Sequence, residues 1–262
     1  MVTILIKQMK SITERHQLIL KKLQDTGHVN VQELSSQMKV SEVTIRKDLK
    51  LLEDKKLLFR THGGGSKTNP YTNDKPVSEK EKLNAEEKSK IAKVAASMIG
   101  NNDSIIIASG TTMVALARSI NPQKHLTVIT SALNVAMELS SHQNVEVLQL
   151  GGQLRQNSSS VMGPYAEQIL QDVSCSILFL GVDGIDLEMG LTTTSLMEAH
   201  LNQKMIDAAQ VTIVLADSSK FGRRGLGKIC ALDHIQHIIT DSGIAPALVK
   251  LLEDKGVNVT IV

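Results

Sequence analysis

The chain has 262 residues and is 42% hydrophobic, enough for one large domain with a small one attached. It has no Trp, two Tyr and three Phe, so an aliphatic core is predicted and base stacking on single-stranded nucleic acid is disfavoured. Cys175 and Cys230 lie far apart in apolar contexts, which favours buried thiols in the cytoplasm over a disulfide or metal site. No long apolar run is present, and residues 1–10 are too short and too interrupted by lysine for a secretory signal, so no membrane partner is expected.

The net charge of +2 conceals an asymmetry along the chain. Residues 1–68 carry 13 Lys+Arg against 7 Asp+Glu, whereas residues 69–262 carry 16 against 20. A basic part joined to an acidic body is expected where only the basic part meets a polyanion. Basic faces also occur on domains that are merely well solvated, so charge alone leaves nucleic-acid binding open.

Three helical patterns follow one another in the first part of the chain. SITERHQLILKKLQDTG begins with a Ser or Thr cap and ends at Gly27, and VNVQELSSQMKV forms a shorter second pattern. SEVTIRKDLKLLEDKKL opens with Ser41 as N-cap and Glu42 in the first turn, where the helix dipole favours an acid. The predicted core positions are Ile12, Ile19, Leu20, Leu23, Leu34, Met38, Ile45, Leu49 and Leu52.

The opposite face of the third helix is polar and basic. It carries Ser41, Thr44, Arg46, Lys47 and Lys50. Two short helices, a turn and a third helix with such a face have the proportions of a helix-turn-helix. Basic side chains there reach guanine edges or phosphates, and the hydroxyls suit contacts at the helix start. A three-helix domain with solvated charges is the alternative.

A strand and a sharp turn follow this helix. LLFRTHGGG alternates Leu58, Arg60 and His62 on one face and then turns through three glycines, which is typical of a wing. Arg60, His62 and Lys67 are therefore candidates for contacts to the DNA backbone. We predict a winged helix-turn-helix over residues 1–67. The polar stretch that follows contains Pro and turn formers without an apolar period, and we predict a linker over 68–82.

The remaining part, residues 83–262, alternates short aliphatic runs with helical patterns. The runs are DSIIIA, LTVIT, VEVLQL, SILFLG, VTIVLA, QHIIT and VNVTIV. Such alternation predicts an α/β domain with a mostly parallel sheet and helices on both sheet faces. Ligands bind beyond the carboxyl ends of the strands in such sheets, so the residues after each run are the functional candidates.

Small and charged residues follow several of these strands. A glycine and hydroxyls at a helix start suit phosphate, Lys or Arg suits phosphate, and carboxylates suit sugar hydroxyls. The candidates are Ser109, Gly110, Thr111, Thr112, Gly151, Gly152, Arg155, Asp183, Asp186, Asp217, Ser218 and Lys220. Each alone is equally an ordinary turn or solvated loop. Neither GK[ST] nor GxGxxG occurs, so no nucleotide cofactor is predicted, and His234 and His237 lack a third metal ligand.

Both parts resemble one family. Residues 13–66, with VSEVTIRKDLKLLE followed by RTHGGGS, resemble the winged helix-turn-helix of the DeoR family of bacterial transcriptional regulators. Residues 83–262, with SGTT, LGGQLR, GVDGID and ADSSKFG, resemble its effector domain, which is similar in fold to ribose-5-phosphate isomerase. The resemblance implies that Ser109, Gly110, Thr111 and Thr112 hold a phosphate, that Asp183, Asp186 and Lys220 line the sugar site, and that Lys88 couples this site to the rest.

One departure concerns the end of the recognition helix, where Lys56 replaces the family's usual glycine. The left-handed conformation costs a lysine about 1 kcal/mol, so a locally different helix end is expected.

Another departure concerns catalysis. DLEMGLTTTSLMEAHL replaces the isomerase's lysine and glycine run, with Glu188, Met189 and Gly190 where the lysine falls. Glu198 remains a candidate base, but the electrophilic partner is missing.

We therefore predict a DNA-binding regulator rather than an enzyme. It is expected to repress a sugar-catabolism operon, to respond to a phosphorylated sugar, and to bind double-stranded operator DNA as a dimer or tetramer without a cofactor. The alternatives are a sugar-phosphate isomerase-like enzyme with a DNA-binding appendage, and a constitutive DNA-binding protein with an inert body.

Overall fold

The structure is a computed structural model that describes residues 11–61, 63–67, 76–101 and 103–262. The chain divides into two compact units, Met1–Asn73 and Asp74–Val262. Among the described residues, none of the helices is both long and apolar enough to span a bilayer.

The smaller unit is a helical domain completed by a small antiparallel sheet. Its described elements are α1 (Ile12–Thr26), β1 (His28–Asn30), α2 (Val31–Met38), α3 (Glu42–Asp54), β2 (Phe59–Thr61) and β3 (Gly64–Ser66). The strands are ordered β1-β3-β2, and β2 and β3 form the hairpin after α3. This is the predicted winged helix-turn-helix, with β1 as a strand that the sequence did not indicate.

Local sequence explains where these helices begin. Ser11 and Glu14 form a reciprocal capping box at the start of α1, which ends at Gly27 in the left-handed conformation. Ser41 Oγ accepts a hydrogen bond from the Thr44 N–H at the start of α3. Of the predicted core positions, Ile12 is wrong because its side chain, in the first turn of α1, is 56% exposed.

The end of α3 shows how Lys56 replaces the expected glycine. Lys56 takes the left-handed conformation with φ 59°, and its N–H donates to the Glu53 carbonyl at 2.7 Å. The Leu57 N–H then donates to the Leu52 carbonyl at 3.0 Å. Lys56 thus closes the helix as a glycine would, and the expected local difference is absent at these residues.

The larger unit contains a seven-stranded sheet in which all neighbouring strands are parallel, ordered β15-β14-β12-β9-β4-β5-β6. Its strands are β4 (Asp103–Ile107), β5 (Leu126–Thr130), β6 (Val145–Gln149), β9 (Cys175–Leu180), β12 (Ala209–Leu215), β14 (His237–Thr240) and β15 (Asn258–Ile261). The helices are α4 (Val77–Lys80), α5 (Ala85–Ser97), α6 (Thr111–Ser119), α7 (Leu133–Leu139), α8 (Pro164–Gln171), α9 (Leu196–Asp207) and α10 (Pro246–Glu253). All seven predicted strands are confirmed.

Helices cover both faces of this sheet, as the sequence predicts. Ile105 and Ile107 of β4 pack in the core under α5, α6 and α7, whereas Ile106 packs in the core under α8 and α9. This alternation follows from the pleat, which turns successive side chains to opposite faces. Two small antiparallel sheets flank the main one, formed by β7 (Gln153–Arg155) with β8 (Ser160–Met162), and by β10 (Gly184–Asp186), β11 (Gly190–Thr193) and β13 (Gly227–Cys230).

The second half of the predicted linker belongs to the larger unit. Residues 76–82 lie within Asp74–Val262, and Val77–Lys80 form the short helix α4. The Val77 N–H donates to the Asn157 carbonyl at 2.8 Å. The polar composition of this stretch concealed its folding, because its contacts are made through backbone groups and charged side chains rather than an apolar face.

Candidate functional site

The exposed face of α3 carries the predicted DNA-contacting side chains. Arg46, Lys47 and Lys50 are exposed, while Ile45 and Leu49 on the other face are buried. Ser41 and Thr44 lie at the helix start, with their hydroxyl oxygens 2.9 Å apart. Arg46 Nη2 lies 2.9 Å from Glu42 Oε2, one turn earlier, an exposed pair that costs little to exchange for a DNA phosphate.

The hairpin places a second basic group beside this helix. Arg60 lies on β2, its N–H donates to Glu53 Oε1 at 3.0 Å, and its guanidinium lies 3.5 Å from Glu53 Oε2. The N–H of Lys67 donates to the Gly27 carbonyl, which ties the end of the wing to the end of α1. His62, also predicted to contact DNA, lies outside the described residues.

A buried ion cluster that sequence reasoning missed orients α3. Asp48 is 2% exposed, and its two carboxylate oxygens accept from Arg15 Nε at 2.8 Å and Arg15 Nη2 at 3.0 Å. His16 Nε2 lies 3.2 Å from Asp48 Oδ1. The bidentate pair joins the start of α1 to the middle of α3. The sequence contained one sign of this cluster, because Asp48 follows Ile45 by three residues and so falls on the apolar face of α3.

The larger unit has a cavity at the carboxyl ends of the adjacent strands β4, β9 and β12. It measures about 600 Å³ including its open mouth. The lining residues are Val77, Lys80, Lys88, Ser109, Gly110, Thr111, Thr112, Arg155, Ser158, Gly181, Val182, Asp183, Thr193, Glu198, Leu215 and Lys220. The structure therefore brings together eight of the eleven predicted effector residues, from five separate stretches of the chain.

The wall after β4 is the N-terminus of α6. Gly110 precedes the helix with φ 131° and ψ 163°, a conformation open essentially to glycine alone. A Cβ at Gly110 would meet no atom within 4 Å, so the backbone faces open space there. No side chain of the described chain caps this helix, which leaves the N–H groups of its first turn available to an anion.

Glu198 connects this wall to the β7–β8 hairpin. Its Oε1 accepts from Ser109 Oγ at 2.7 Å, and its Oε2 accepts from Arg155 Nη1 at 2.7 Å. Burial raises the pKa of the Glu198 carboxyl, and the nearby Asp183 adds to this, although the Ser109 hydrogen bond and the Arg155 charge oppose it. Glu198 lies on α9, in a stretch where the sequence indicated only a candidate base.

Asp183 is the second carboxylate of the cavity. Its Oδ1 accepts from Lys80 Nζ at 3.0 Å, and its Oδ2 accepts from Thr193 Oγ1 at 3.0 Å and the Thr194 N–H at 3.2 Å. Burial opposes ionisation, but the charges of Lys80 and Lys220 and these hydrogen bonds outweigh it and lower the pKa of Asp183. Asp183 is therefore a fixed negative charge at neutral pH.

Two further lysines line the cavity. Lys88 is 5% exposed, and its Nζ donates to the carbonyl oxygens of Lys80 at 2.6 Å and Leu83 at 2.5 Å. Burial lowers the pKa of both Lys88 and Lys220, with Asp217 opposing the shift in each case. Among the described residues, Lys220 Nζ has neither a hydrogen-bond acceptor nor a carboxylate oxygen within ion-pair distance.

Three predicted effector residues, Gly151, Gly152 and Asp186, do not line the cavity, so the structure does not bring them together with the other eight. Gly151 and Gly152 form the turn before β7, and a Cβ on Gly152 would lie 2.5 Å from the Met162 carbonyl oxygen. Close strand approach therefore explains this glycine. Asp186 Oδ1 accepts from Arg224 Nη2 at 2.9 Å and from the Met189 N–H at 2.8 Å, so it holds the β10–β11 turn.

The two cysteines and the two histidines considered as metal ligands form no metal-binding cluster among the described residues. Cys175 is buried, and burial raises the pKa of the Cys230 thiol to about 12. His237 Nε2 lies 2.8 Å from Thr260 Oγ1 on the next strand, and His234 is exposed. Within the described ranges, no cluster of three or more His, Cys, Asp or Glu residues is placed to hold a metal ion.

A winged helix-turn-helix followed by an α/β unit with a polar cavity at its strand ends defines a ligand-responsive transcriptional regulator. Comparisons identify the family. The model of the DeoR-like helix-turn-helix domain matches residues 15–69, and the model of the DeoR C terminal sensor domain matches residues 83–242. The chain belongs to the DeoR family of transcriptional regulators, as its sequence motifs imply.

Full-length relatives support this assignment. The uncharacterized HTH-type transcriptional regulator YulB of Bacillus subtilis (strain 168) is 39% identical over 96% of this chain and 97% of its own. The transcriptional repressor AccR of Agrobacterium fabrum is 32% identical over 89% of this chain and 91% of its own. The glycerol-3-phosphate regulon repressor of Escherichia coli (strain K12) is 27% identical over 95% of this chain and 98% of its own.

The implied likeness to ribose-5-phosphate isomerase stays a prediction. Ribose 5-phosphate isomerase A from Neisseria gonorrhoeae superposes with a TM-score of 0.38 and 14% identity, over 52% of this chain and 53% of that chain.

Proposed function

We propose that the protein is a repressor that binds operator DNA through α3 and its wing and releases it when a phosphorylated sugar occupies the cavity. The observation that carries the proposal is the placement of an uncapped helix N-terminus in the same cavity as Lys88 and Lys220, at the carboxyl edge of the sheet. Relatives named as repressors, one of them of a glycerol-3-phosphate regulon, agree with it.

The cavity suits a ligand that has both a phosphate and hydroxyl groups. The first turn of α6 and the Lys220 ammonium favour a dianion, because helix N-terminal N–H groups and cations act together on phosphate oxygens. Asp183 accepts hydrogen bonds from the Lys80 ammonium and the Thr193 hydroxyl. A sugar hydroxyl is a hydrogen-bond donor of the same kind as the threonine hydroxyl. Four cationic side chains against two carboxylates leave the lining net positive.

DNA binding by this chain would require more than one copy. A single small unit buries too little DNA surface for operator-level affinity, and paired units match two half-sites. The ligand must bind one arrangement of the subunits more tightly than the other, since equal affinity shifts no equilibrium. We therefore propose a dimer or tetramer whose operator-competent arrangement is disfavoured by the sugar phosphate.

A gel-shift titration on the protein's own upstream DNA tests this function. The titration is run at fixed salt with hexose, pentose and triose phosphates and glycerol 3-phosphate, because affinity depends steeply on ionic strength. Release by one phosphate and not by its unphosphorylated sugar is the expected result. Tight binding that no compound alters would instead identify a constitutive DNA-binding protein.

A second candidate function is sugar-phosphate isomerisation, favoured by the raised pKa of Glu198. A carboxyl of this kind is suited to proton transfer. However, both Glu198 oxygens are engaged by Ser109 and Arg155, and the regulators at 39% and 32% identity favour sensing. Interconversion of ribose 5-phosphate and ribulose 5-phosphate that Glu198→Gln abolishes would establish catalysis.

A further inference from the structure

The segment of residues 76–84, here termed the strap, is the first described part of the larger unit after the DNA-binding unit. It contains α4 and the turn that leads into α5. Only residues 68–75 separate it in sequence from Lys67. Two of its side chains, Val77 and Lys80, line the effector cavity. The strap is therefore at once a wall of the cavity and the continuation of the chain that carries the DNA-binding helices.

Polar contacts fasten the strap at several positions. The Val77 N–H donates to the Asn157 carbonyl at 2.8 Å, in the connection between β7 and β8. Glu81 Oε1 accepts from Arg118 Nη1 at 2.8 Å, in the last turn of α6. Asn84 has a left-handed conformation, and its Nδ2 donates to Asp217 Oδ1 at 2.8 Å. None of these contacts buries a large apolar side chain, so the strap is held by polar groups.

The remaining contacts involve groups that face the ligand space. Lys80 Nζ pairs with Asp183 Oδ1 at 3.0 Å, and both residues line the cavity. Lys88 also lines the cavity and holds the carbonyl oxygens of Lys80 and Leu83 through its Nζ. An anionic ligand would therefore act on the same ammonium groups that hold the strap.

The direction of the effect follows from the charges. Lys80 and Asp183 have side chains 27% and 23% exposed, so their attraction is partly screened and the pair alone holds the strap weakly. A ligand phosphate near Lys80 gives the Lys80 ammonium a second negative partner without removing the first, Asp183. The protein with its strap docked therefore binds such a ligand more tightly than the protein with its strap undocked. This difference in ligand affinity sets how far ligand binding shifts the strap toward the docked position.

We infer that Lys80 is a ligand-positioning residue, and that its pair with Asp183 is the connection through which the cavity controls the DNA-binding unit. This inference rests on the proposed sugar-phosphate response. Ligand binding docks the strap and lowers operator affinity, and loss of the Lys80 ammonium undocks the strap and raises operator affinity.

Hydrogen exchange on the full-length protein tests whether Lys80 holds the strap. In Lys80→Met without added ligand, amide exchange over residues 77–84 is expected to rise about threefold, while exchange in β15 stays unchanged. Lys82→Met is the matched control because Lys82 is exposed two residues further on, and Lys80→Arg should restore wild-type exchange. Unchanged exchange over 77–84 in Lys80→Met would overturn the inference.

Operator titrations then test the connection. Ligand-free Lys80→Met is expected to bind upstream DNA at least threefold more tightly than wild type. With fructose 6-phosphate, glucosamine 6-phosphate, ribose 5-phosphate, glyceraldehyde 3-phosphate and glycerol 3-phosphate as probes, it should lose the release that wild type, Lys82→Met and Lys80→Arg show. A full wild-type response in Lys80→Met would overturn the inference.

The two proposals fail in distinguishable ways. If no probe changes operator binding by the wild-type protein, the proposed sensing function fails. The strap is then judged by the ligand-free titration alone: a threefold or larger gain in operator affinity in Lys80→Met supports it, and wild-type affinity overturns it.

Discussion

The exposed face of α3 and the cavity of the larger unit present positive charge in opposite ways. On α3, Arg46, Lys47 and Lys50 lie within five residues of one another and extend into solvent. In the cavity, Lys80 and Lys220 come from distant positions and are partly or largely enclosed. A polyanion is bound by many exposed cations that displace its counterions, whereas one small anion needs a few cations that are already desolvated and oriented.

The largest effect is expected at Asp48, because this buried carboxylate on α3 pairs with Arg15 and His16 on α1 and so holds the exposed face of α3 in place. We expect Asp48→Ala to lower the free energy of unfolding of the DNA-binding unit by about 3–5 kcal/mol, because Arg15 and His16 would lose their buried carboxylate. Urea denaturation followed by circular dichroism measures this loss. Glu33→Ala, at an exposed pair with Lys22, is the control, and an equal effect there would contradict the assignment.

The variant Lys220→Met tests whether the cavity binds the phosphate through Lys220. Removing a desolvated cation from an anion site is expected to weaken binding of the releasing sugar phosphate about 30-fold, or roughly 2 kcal/mol. Isothermal titration calorimetry gives the affinity, and gel shifts should show wild-type operator binding without ligand. Lys228→Met removes an exposed lysine of β13 and should change neither quantity. Normal ligand affinity in Lys220→Met would place the phosphate elsewhere.

Asp186 is a carboxylate that holds a turn, in contrast to Asp183 and Glu198, which line the cavity. Burial opposes its ionisation, but hydrogen bonds from Arg224 and from the N–H groups of Met189 and Glu188 lower its pKa below the ordinary 3.8. Its stabilising effect is therefore complete above pH 3.8 and is lost as the pH falls through the lowered value. Asp186→Asn should cost about 1.5 kcal/mol of unfolding free energy at pH 7.

A pH series of urea denaturation curves checks this expectation. The difference between wild type and Asp186→Asn should shrink below pH 3.8, and ligand affinity at pH 7 should be unchanged. Asp233→Asn, an exposed position, provides the baseline. A large loss of ligand affinity in Asp186→Asn would return this residue to the effector site.

The smallest expected effect concerns the exposed charges of α3. Lys47→Ala should weaken operator binding about fivefold, or roughly 1 kcal/mol, uniformly across operator sequences, and should reduce the salt slope by about one. Fluorescence anisotropy at several salt concentrations measures both. Lys90→Ala, an exposed lysine of α5, is the matched control. An unchanged slope would show that Lys47 makes no phosphate contact.

Residue patterns predicted the elements well where the physics is local. Aliphatic runs marked all seven parallel strands, because strands covered on both faces need continuous apolar sequence. Ser11, Gly27 and Ser41 marked helix ends because caps act within one turn. The same local reasoning failed at Val77–Lys80, whose fold depends on partners from distant parts of the chain.

The sequence by itself determined the two-part organisation, the parallel sheet and the polar residues at its strand ends, because periodicity and chain order decide all three. Only the tertiary structure decided which of those residues meet. It brought Lys80 to Asp183 across 103 positions and Glu198 to Ser109 across 89, and it assigned Asp186 to a turn instead of the cavity. The physical reason is that a side chain's partners depend on strand order and loop path, which no short stretch of residues encodes.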